Sequence, residues 1–392
     1  MSEEVYILSA RRTPIGAFQG VFSGVTAPQL GAAAIRAALA DSGIPAEQID
    51  EVFLGCVLPA GLGQAPARQA SLGAGVPKSV PCTTVNKVCG SGMRTAMMGA
   101  DAIRAGSARF VISGGLESMT NSPYLLPKAR GGYRLGHGEI LDHMFYDGLQ
   151  NPYDNQMMGH FADATAKKYE FSRADQDAYA AETARRAKEA CANGSFDGEI
   201  TPVTVKGRKG ETVVDKDETP STVDISKIPN LKPSFSKEGT VTAASSSSIS
   251  DGAAAMVLAS AAAAKAANAR PLARVAGYAT FAQAPEWFTT APAGAIKRCL
   301  EKAGWTLGQV DLFEINEAFA VVTMAAIRDL GLDPAKVNVN GGACALGHPI
   351  GATGARIMTT LLHALRKRNL KRGIASLCLG GGEATAIALE IV

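Results

Sequence analysis

IRAALADSGIPAEQIDEVFLG, residues 35–55, lies without a gap on IKRCLEKAGWTLGQVDLFEIN, residues 296–316. Ile35 meets Ile296, Leu39 meets Leu300, Gly43 meets Gly304 and Asp50 meets Asp311, at the constant offset 296 − 35 = 261. In each copy apolar residues return at helical spacing, a glycine closes the helix, and a short apolar run follows as a strand. Two looser echoes follow: Val85–Asn86 with Val339–Asn340, and GGLE (114–117) after the strand ARFVIS with GGGE (380–383) after the strand GIASLCL. A helix-then-strand unit used twice predicts a duplicated α/β fold of two related halves.

Between the copies the composition changes. Residues 119–249 are richer in Tyr, Met, Asn, Asp and Lys, with a charged helix in SRADQDAYAAETARRAKEA and a turn-rich stretch in VKGRKGETVVDKDETPSTVDISKIPN. The economical reading is an inserted loop domain, placed where a cover for a ligand would sit on a rigid scaffold. The expected division is 1–118 plus 250–270 for the first half, 119–249 for the loop domain and 271–392 for the second half. SDGAAAMVLASAAAAKAANA (250–269) reads as a helix.

A chain of 392 residues is too long for one compact core, and 46% hydrophobic residues suffice for globular burial. Lys and Arg exceed Asp and Glu by 39 − 36 = 3, without a basic run or a basic patch interleaved with aromatics, so nucleic acid is not an expected partner. No apolar stretch reaches the roughly 18 residues of a membrane span. MSEEVYILSARRTPIG has neither the basic start nor the apolar run of a secretory signal, and seven irregularly spaced cysteines suit a reducing compartment, so the expected location is the cytoplasm.

Cys89 stands in VNKVCGSG (85–92), between the strand-like TTVNKV and the helix-like GSGMRTAMMGADAIRAG. A thiol on such a turn, near a helix N-terminus, is expected to favour the thiolate, with pKa values of ~3.5–7.5 in favourable cases. The alternative is a small buried hydrophobe. His348 lies in LGHPIGATGAR, where glycines and Pro349 hold a tight backbone that brings the imidazole near a ligand, as a base for Cys89. Asn316 follows the strand DLFEI, where an amide can hold a water or donate to an oxyanion, or simply make a turn. Cys378 ends the strand GIASLC before LGGG, whose small residues let a backbone N–H approach developing negative charge, unless it serves only to pack. Cys56, Cys82, Cys191, Cys299 and Cys344 are read as packing. Cys344 and His348 lack a second ligand pair, so no metal site is expected. Two thiols, one imidazole and one amide point to carbon–carbon bond chemistry on thioesters.

In combination and in this order, VCGSG, NEAF (316–319), GHPIGATGAR (347–356) and CLGGG (378–382) resemble the thiolase family over essentially the whole chain. The resemblance implies a layered αβαβα fold of two similar halves, a loop domain covering coenzyme A, and a homotetramer built from dimers. It implies acetyl-CoA C-acetyltransferase activity: two acetyl-CoA molecules condense reversibly to acetoacetyl-CoA and CoA, with no cofactor beyond these substrates. A broader 3-ketoacyl-CoA thiolase of fatty-acid degradation is the alternative, and a noncatalytic acyl-CoA- or lipid-binding relative a remote one. A ketosynthase would place His at Asn316. Carried over residue by residue, the resemblance makes Cys89 the acylated nucleophile, His348 its base and Cys378 the acid and base at the substrate α-carbon. Asn316 would hold a water that, with His348, stabilises the enolate oxygen, and the N–H groups of Cys89 and Gly380 would form a second oxyanion hole.

By the same resemblance Ser247 and Ala243 would meet the pantetheine, Phe235, Ala318 and Phe319 would form its apolar walls, and Met158 and Phe288 would face the acyl group. The sequence departs from the family pattern at Ser245, where Asn is usual, at Met157, where His is usual, and near Pro220, where a basic adenine contact is usual. Lys206, Arg208 and Lys209 are either an attraction for CoA phosphates or a solvated hairpin.

Overall fold

The computed structural model describes residues 3–208 and 210–392. Its frame comprises strands β1 (Val5–Arg12), β2 (Glu51–Gly55), β3 (Cys82–Val85), β4 (Phe110–Ser118), β5 (Ser250–Ser260), β6 (Ala273–Ala282), β7 (Leu312–Ile315), β8 (Arg372–Leu379) and β9 (Glu383–Ile391). The helices that matter for the site are α1 (Ala27–Ser42), α2 (Ser91–Arg104), α3 (Arg173–Ala192), α4 (Ala291–Ala303) and α5 (Ile350–Lys367).

The repeated segment folds the same way twice. Helix α1 stops at Gly43 with φ 67°, and α4 stops at Gly304 with φ 68°. Both ends are left-handed, a conformation that glycine adopts without the Cβ penalty. The paired aspartates do one job in both copies: Asp50 Oδ2 accepts from Arg109 N at 2.7 Å and Phe110 N at 3.0 Å, and Asp311 Oδ2 accepts from Lys371 N at 2.9 Å and Arg372 N at 2.8 Å. Each thereby pins the start of the strand that pairs in parallel with its own, β4 on β2 and β8 on β7.

Across the sheet the order is β7-β8-β9-β6-β1-β5-β4-β2-β3, with the two-residue strand Gly16–Ala17 beside β5. The halves join where β1 pairs antiparallel with β6, at Tyr6↔Arg274 and Ile7↔Ala273. Helices α2 and α5 pack on each other between the strands of the two halves, while α1 covers the outer face of the first half and α4 that of the second. Separate apolar cores fill the middle and the two outer layers. The layers are therefore α, β, α, β, α, as expected from the resemblance.

The alanine-rich segment 250–269 is not a helix but strand β5, buried along its length, followed by the short helix Ala261–Ala266. β5 is paired on both sides by β1 and β4 and packs against α1 and α5, so both its faces are apolar and alternation vanishes. Alanine's helix preference yields to this ladder, which also needs small residues: a Cβ on Gly114 of β4 would sit 2.2 Å from Ala254 O. GGLE likewise lies inside β4, whereas Gly380–Gly382 make the β8–β9 turn, with φ of 90° and 87° at Gly381 and Gly382. The topologically matching β4–β5 connection in the first half is the whole excursion 119–249.

That excursion contains α3, opened by a reciprocal Ser172–Asp175 cap, and a hairpin of Val203–Gly207 with Gly210–Val214. It is bolted to the frame by fully buried Arg12, whose Nε donates to Glu199 at 2.6 Å and whose Nη atoms donate to Asp217 at 2.7 and 2.9 Å. Buried Glu317 holds the other side, accepting from Tyr179 and Thr183 of α3 at 2.9 Å each. All seven cysteines are unpaired, and among the described residues no helix is long and apolar enough to cross a membrane.

Candidate active site

Between β3 and α2 the chain makes a strained turn. Val88, a β-branched residue, has φ 47°, a conformation such side chains rarely adopt and which is retained only where surrounding contacts impose it. Those contacts are local. Val88 N donates to Asn86 Oδ1 at 2.9 Å, and the Ser91 hydroxyl accepts from Lys87 N at 2.8 Å and donates to Val88 O at 2.6 Å. A Cβ on Gly90 would press on the Leu379 side chain at 2.5 Å. The turn presents Cys89 to a cavity of about 410 Å³.

The expectation of a thiolate-favouring position at Cys89 is overturned. Burial pushes the thiol up to about 12, and the backbone N–H of Gly380, which opposes the shift, does not outweigh it. Cys89 lies before the first helical residue of α2, and low polarity around the sulfur costs the charged form more than the helix end returns.

His348 reaches the same cavity from the turn that precedes α5. Gly347 there has φ 110°, and a Cβ on it would press on Ser250 Oγ at 2.3 Å. The imidazole is 5% exposed. Its Nδ1 lies 2.6 Å from Thr353 Oγ1, and that hydroxyl donates to Pro349 O at 2.9 Å. A hydroxyl has one proton to give, so Thr353 accepts from Nδ1–H and leaves Nε2, which has no partner, with its lone pair free. Burial first, and the Arg356 charge second, take His348 down to about 3. The resting pair is thus a neutral thiol and a neutral imidazole, so the proton must pass to Nε2 as sulfur attacks.

Asn316 and Cys378 are each 1% exposed and outside the cavity lining; Cys378 packs in one cluster with Phe288, Ala318 and Phe319 of that lining, and Asn316 precedes Ala318 by two residues. The Asn316 backbone N–H donates to Ser376 O at 2.9 Å, its Oδ1 accepts from Arg356 Nη2 at 3.4 Å, and its Nδ2 has no partner. Cys378 sits in register with Ala384 near the end of β8. Burial, and after it the neighbouring Cys89, push this thiol well above the ordinary range. Gly380 is on the wall itself, and an ion pair from Lys87 to Glu383 ties the nucleophile turn to the Gly380–Gly382 turn.

Of the binding residues expected from the sequence, Ser247, Phe235, Ala318, Phe319, Met158 and Phe288 all line the cavity. Ser247 donates to Ala318 O through both N and Oγ at 3.0 Å, so it braces the wall. Phe288 meets Phe161 and Phe319 edge to face at 6.4 and 6.5 Å. Ala243 is exposed and outside the wall. The departing residues serve other ends: Met157 lines the cavity, Ser245 accepts from Thr242 N at 2.8 Å in a buried turn, and Pro220 is buried. Lys206 is exposed, pairs with Glu211 at 3.6 Å and borders a separate open groove beside α1, so this part of the hairpin is solvated and away from the cavity. Arg208 is exposed, and Lys209 lies outside the described residues.

Sequence reasoning missed Met119, Phe145, Leu149, Ile249 and Ile350, which complete the apolar lining. Only the Gly- and Pro-rich setting of Ile350 could have signalled any of them. Cys56, Cys299 and Cys344 are buried in packing roles, with Cys344 N donating to Glu317 at 3.1 Å, and among the described residues no group of three or more His, Cys, Asp or Glu side chains is placed to hold a metal.

Residues 5–262 match the family description "Thiolase, N-terminal domain" and residues 269–391 match "Thiolase, C-terminal domain". An acetyl-CoA acetyltransferase from Pseudomonas aeruginosa is 49% identical over 99% of both chains, and one from Schizosaccharomyces pombe is 46% identical over 100% of both. The crystal structure of the Bacillus anthracis acetyl-CoA acetyltransferase superposes with a TM-score of 0.97 at 42% identity, covering 100% of this chain and 99% of that one. A thiolase from Ascaris suum in complex with coenzyme A gives 0.94 at 44% identity, with complete coverage of both.

Proposed function

Because this chain belongs to the thiolase family, we propose that it is an acetyl-CoA C-acetyltransferase acting through an acetyl-Cys89 intermediate. The observation that carries this reading is the convergence of Cys89, His348 and Gly380 on one apolar-walled cavity, with buried Cys378 packed against Phe288, Ala318 and Phe319 of its lining. Cys89 attacks the thioester carbonyl of acetyl-CoA while its proton passes to His348 Nε2; the C–S bond to CoA breaks, and CoA leaves as the thiol on taking that proton. Cys378 then gives up its thiol proton and, as the thiolate, takes the α-proton of a second acetyl-CoA. The enolate attacks the acetyl carbonyl, a carbon–carbon bond forms, the C–S bond to Cys89 breaks, and the Cys89 thiolate takes up the proton that Cys378 released, leaving acetoacetyl-CoA and both thiols restored. The N–H groups of Cys89 and Gly380 stabilise the tetrahedral oxyanion, and Asn316 with His348 stabilises the enolate oxygen through a water. CoA thioesters are the substrates, and these residues require no further cofactor for either half-reaction.

Acetyl-CoA alone should therefore acetylate Cys89, detected as a mass shift on the peptide that contains it. Loss of the adduct in Cys89→Ala is the expected control. An adduct located elsewhere, or one undiminished in that variant, overturns the assignment.

The part of the cavity wall formed by Phe288 and Phe319 favours a short acyl chain, because a ring packed edge to face cannot move aside as a thioether does. Phe288→Ala should raise kcat/KM for longer 3-ketoacyl-CoAs relative to acetoacetyl-CoA by roughly tenfold or more, since each methylene accommodated in an apolar pocket is worth about 1–3 kcal/mol. The ratio between chain lengths is unaffected by a smaller folded fraction. An unchanged ratio would reduce Phe288 to a packing role, and a wild type preferring long chains would support a broad 3-ketoacyl-CoA thiolase.

The assembly we propose is a homotetramer built from dimers. Tyr124, Leu126, Leu135, Ile140 and Tyr153 are 51–98% exposed within one stretch of the excursion, apolar side chains that a second copy can cover. β3 is an open sheet edge whose backbone can pair with a second copy.

A further inference from the structure

We propose that Arg356, buried in α5 and outside the cavity wall, is a positioning residue that fixes the Asn316 amide for the thioester oxygen. The inference rests on the thiolase reading and extends it to a residue that touches no substrate. Asn316 and Arg356 are each 1% exposed, so neither can exchange its partner for bulk water. A guanidinium carries donors only, so the atom of the amide that faces Nη2 at 3.4 Å must be Oδ1. The other amide orientation would set two donors against each other. With Oδ1 held there and the backbone of Asn316 pinned to Ser376 O, both Nδ2 hydrogens remain unengaged and available to a water or an oxyanion.

The same guanidinium supplies charge. Its nearest carboxylate, Glu314 Oε2, is 3.9 Å from Nη1 and is itself pushed up to about 8 by burial, so at neutral pH it neutralises Arg356 poorly. Glu199 and Asp217 are engaged by Arg12. Glu117, at the end of β4, accepts from Gly351 N at the start of α5 and is pushed up to about 7 by burial. The Cys89 and Cys378 thiols are both raised, while His363, further along α5, is lowered, chiefly by burial in each case. After burial, the Arg356 charge is what opposes protonation of the His348 imidazole, so its removal acts on the acid limb alone.

The test compares steady-state thiolysis in Arg356→Met, Arg356→Lys, Asn316→Ala and the Asn316→Ala/Arg356→Met double variant. Arg356→Met/Glu314→Gln serves as the measured form if Arg356→Met alone does not fold. Losing the orienting donor should cut kcat by on the order of a hundredfold with little change in KM, and Lys should restore part of it. In the Asn316→Ala background the Met substitution should cost less than about twofold more, because the effect runs through that amide. Removing the positive charge should also shift the acid limb of kcat/KM to higher pH in the Met variant but not in the Lys variant. Additive losses, an unchanged kcat, or an acid limb that does not move would overturn the proposal. Acetylation of Cys89 in the wild type tests the underlying reading separately: its failure removes the thiolase mechanism, whereas acetylation with additive losses removes only the role of Arg356.

Discussion

Cys378→Ser is expected to accept an acetyl group on Cys89 and then to stall. An alcohol ionises far less readily than a thiol, so the variant lacks a base for the α-carbon while keeping the nucleophile, His348 and the Gly380 N–H. The order of the two steps follows from electrostatics. Cys378 lies in a cluster with Phe288, Phe319 and Ala318, where burial opposes its thiolate, and a charge on Cys89 would oppose it further. Once Cys89 is acetylated it can carry no charge, and that second opposition disappears, so the first half-reaction lowers the cost of the base needed for the second. Peptide mass spectrometry should find acetyl-Cys89 at wild-type levels. Exchange of deuterium from solvent into acetyl-CoA, and acetoacetyl-CoA formation, should fall by about a thousandfold, the scale on which a positioned general base contributes. Exchange at the wild-type rate would make Cys378 a packing residue.

What could be read from the chain was whatever the chain does twice or does locally. The Gly43 and Gly304 helix ends and the Asp50 and Asp311 strand anchors are backbone-level requirements, and such requirements leave the same residue type at the same spacing. Cys89 and His348 are conspicuous for a related reason: each stands beside a glycine, Gly90 and Gly347, whose added Cβ would clash with its surroundings. What was not legible depends on neighbours distant in sequence. β5 looked helical because alanine is ambiguous until its burial by β1, β4, α1 and α5 is known. The apolar lining from Met119, Phe145 and Leu149 comes from an irregular excursion without periodicity, and the high pKa of Cys89 comes from surroundings that no local motif encodes. Thr353 and Arg356 stood in plain view in GHPIGATGAR, yet their work becomes visible only when α5 carries them beside His348 and Asn316.

Gly354→Ala should be among the most damaging single-methyl additions the fold can receive. At Gly354 of α5 a Cβ would lie 2.3 Å from Met93 N of α2, and at Gly92 of α2 one would lie 2.8 Å from Ala355 N. The obstructing atoms are backbone, so no rotamer change relieves them; the two central helices must move apart, or one must bend. Overpacking that displaces backbone costs about 3 kcal/mol at the upper end of its usual range. The displacement also spreads, since α5 packs against strands of both halves and His348 stands two residues before its first residue. Thermal or denaturant unfolding of Gly354→Ala should show that loss, and the fraction remaining folded should have a depressed kcat, because Thr353 and Arg356 flank the substituted position. Gly24→Ala is the matched control: its added methyl meets nothing within 4 Å, and it should leave both quantities near wild type. If Gly354→Ala were as stable as that control, the close apposition of α2 and α5 would not be what holds the two halves at their present spacing, and the approach of His348 to Cys89 would need a different physical cause.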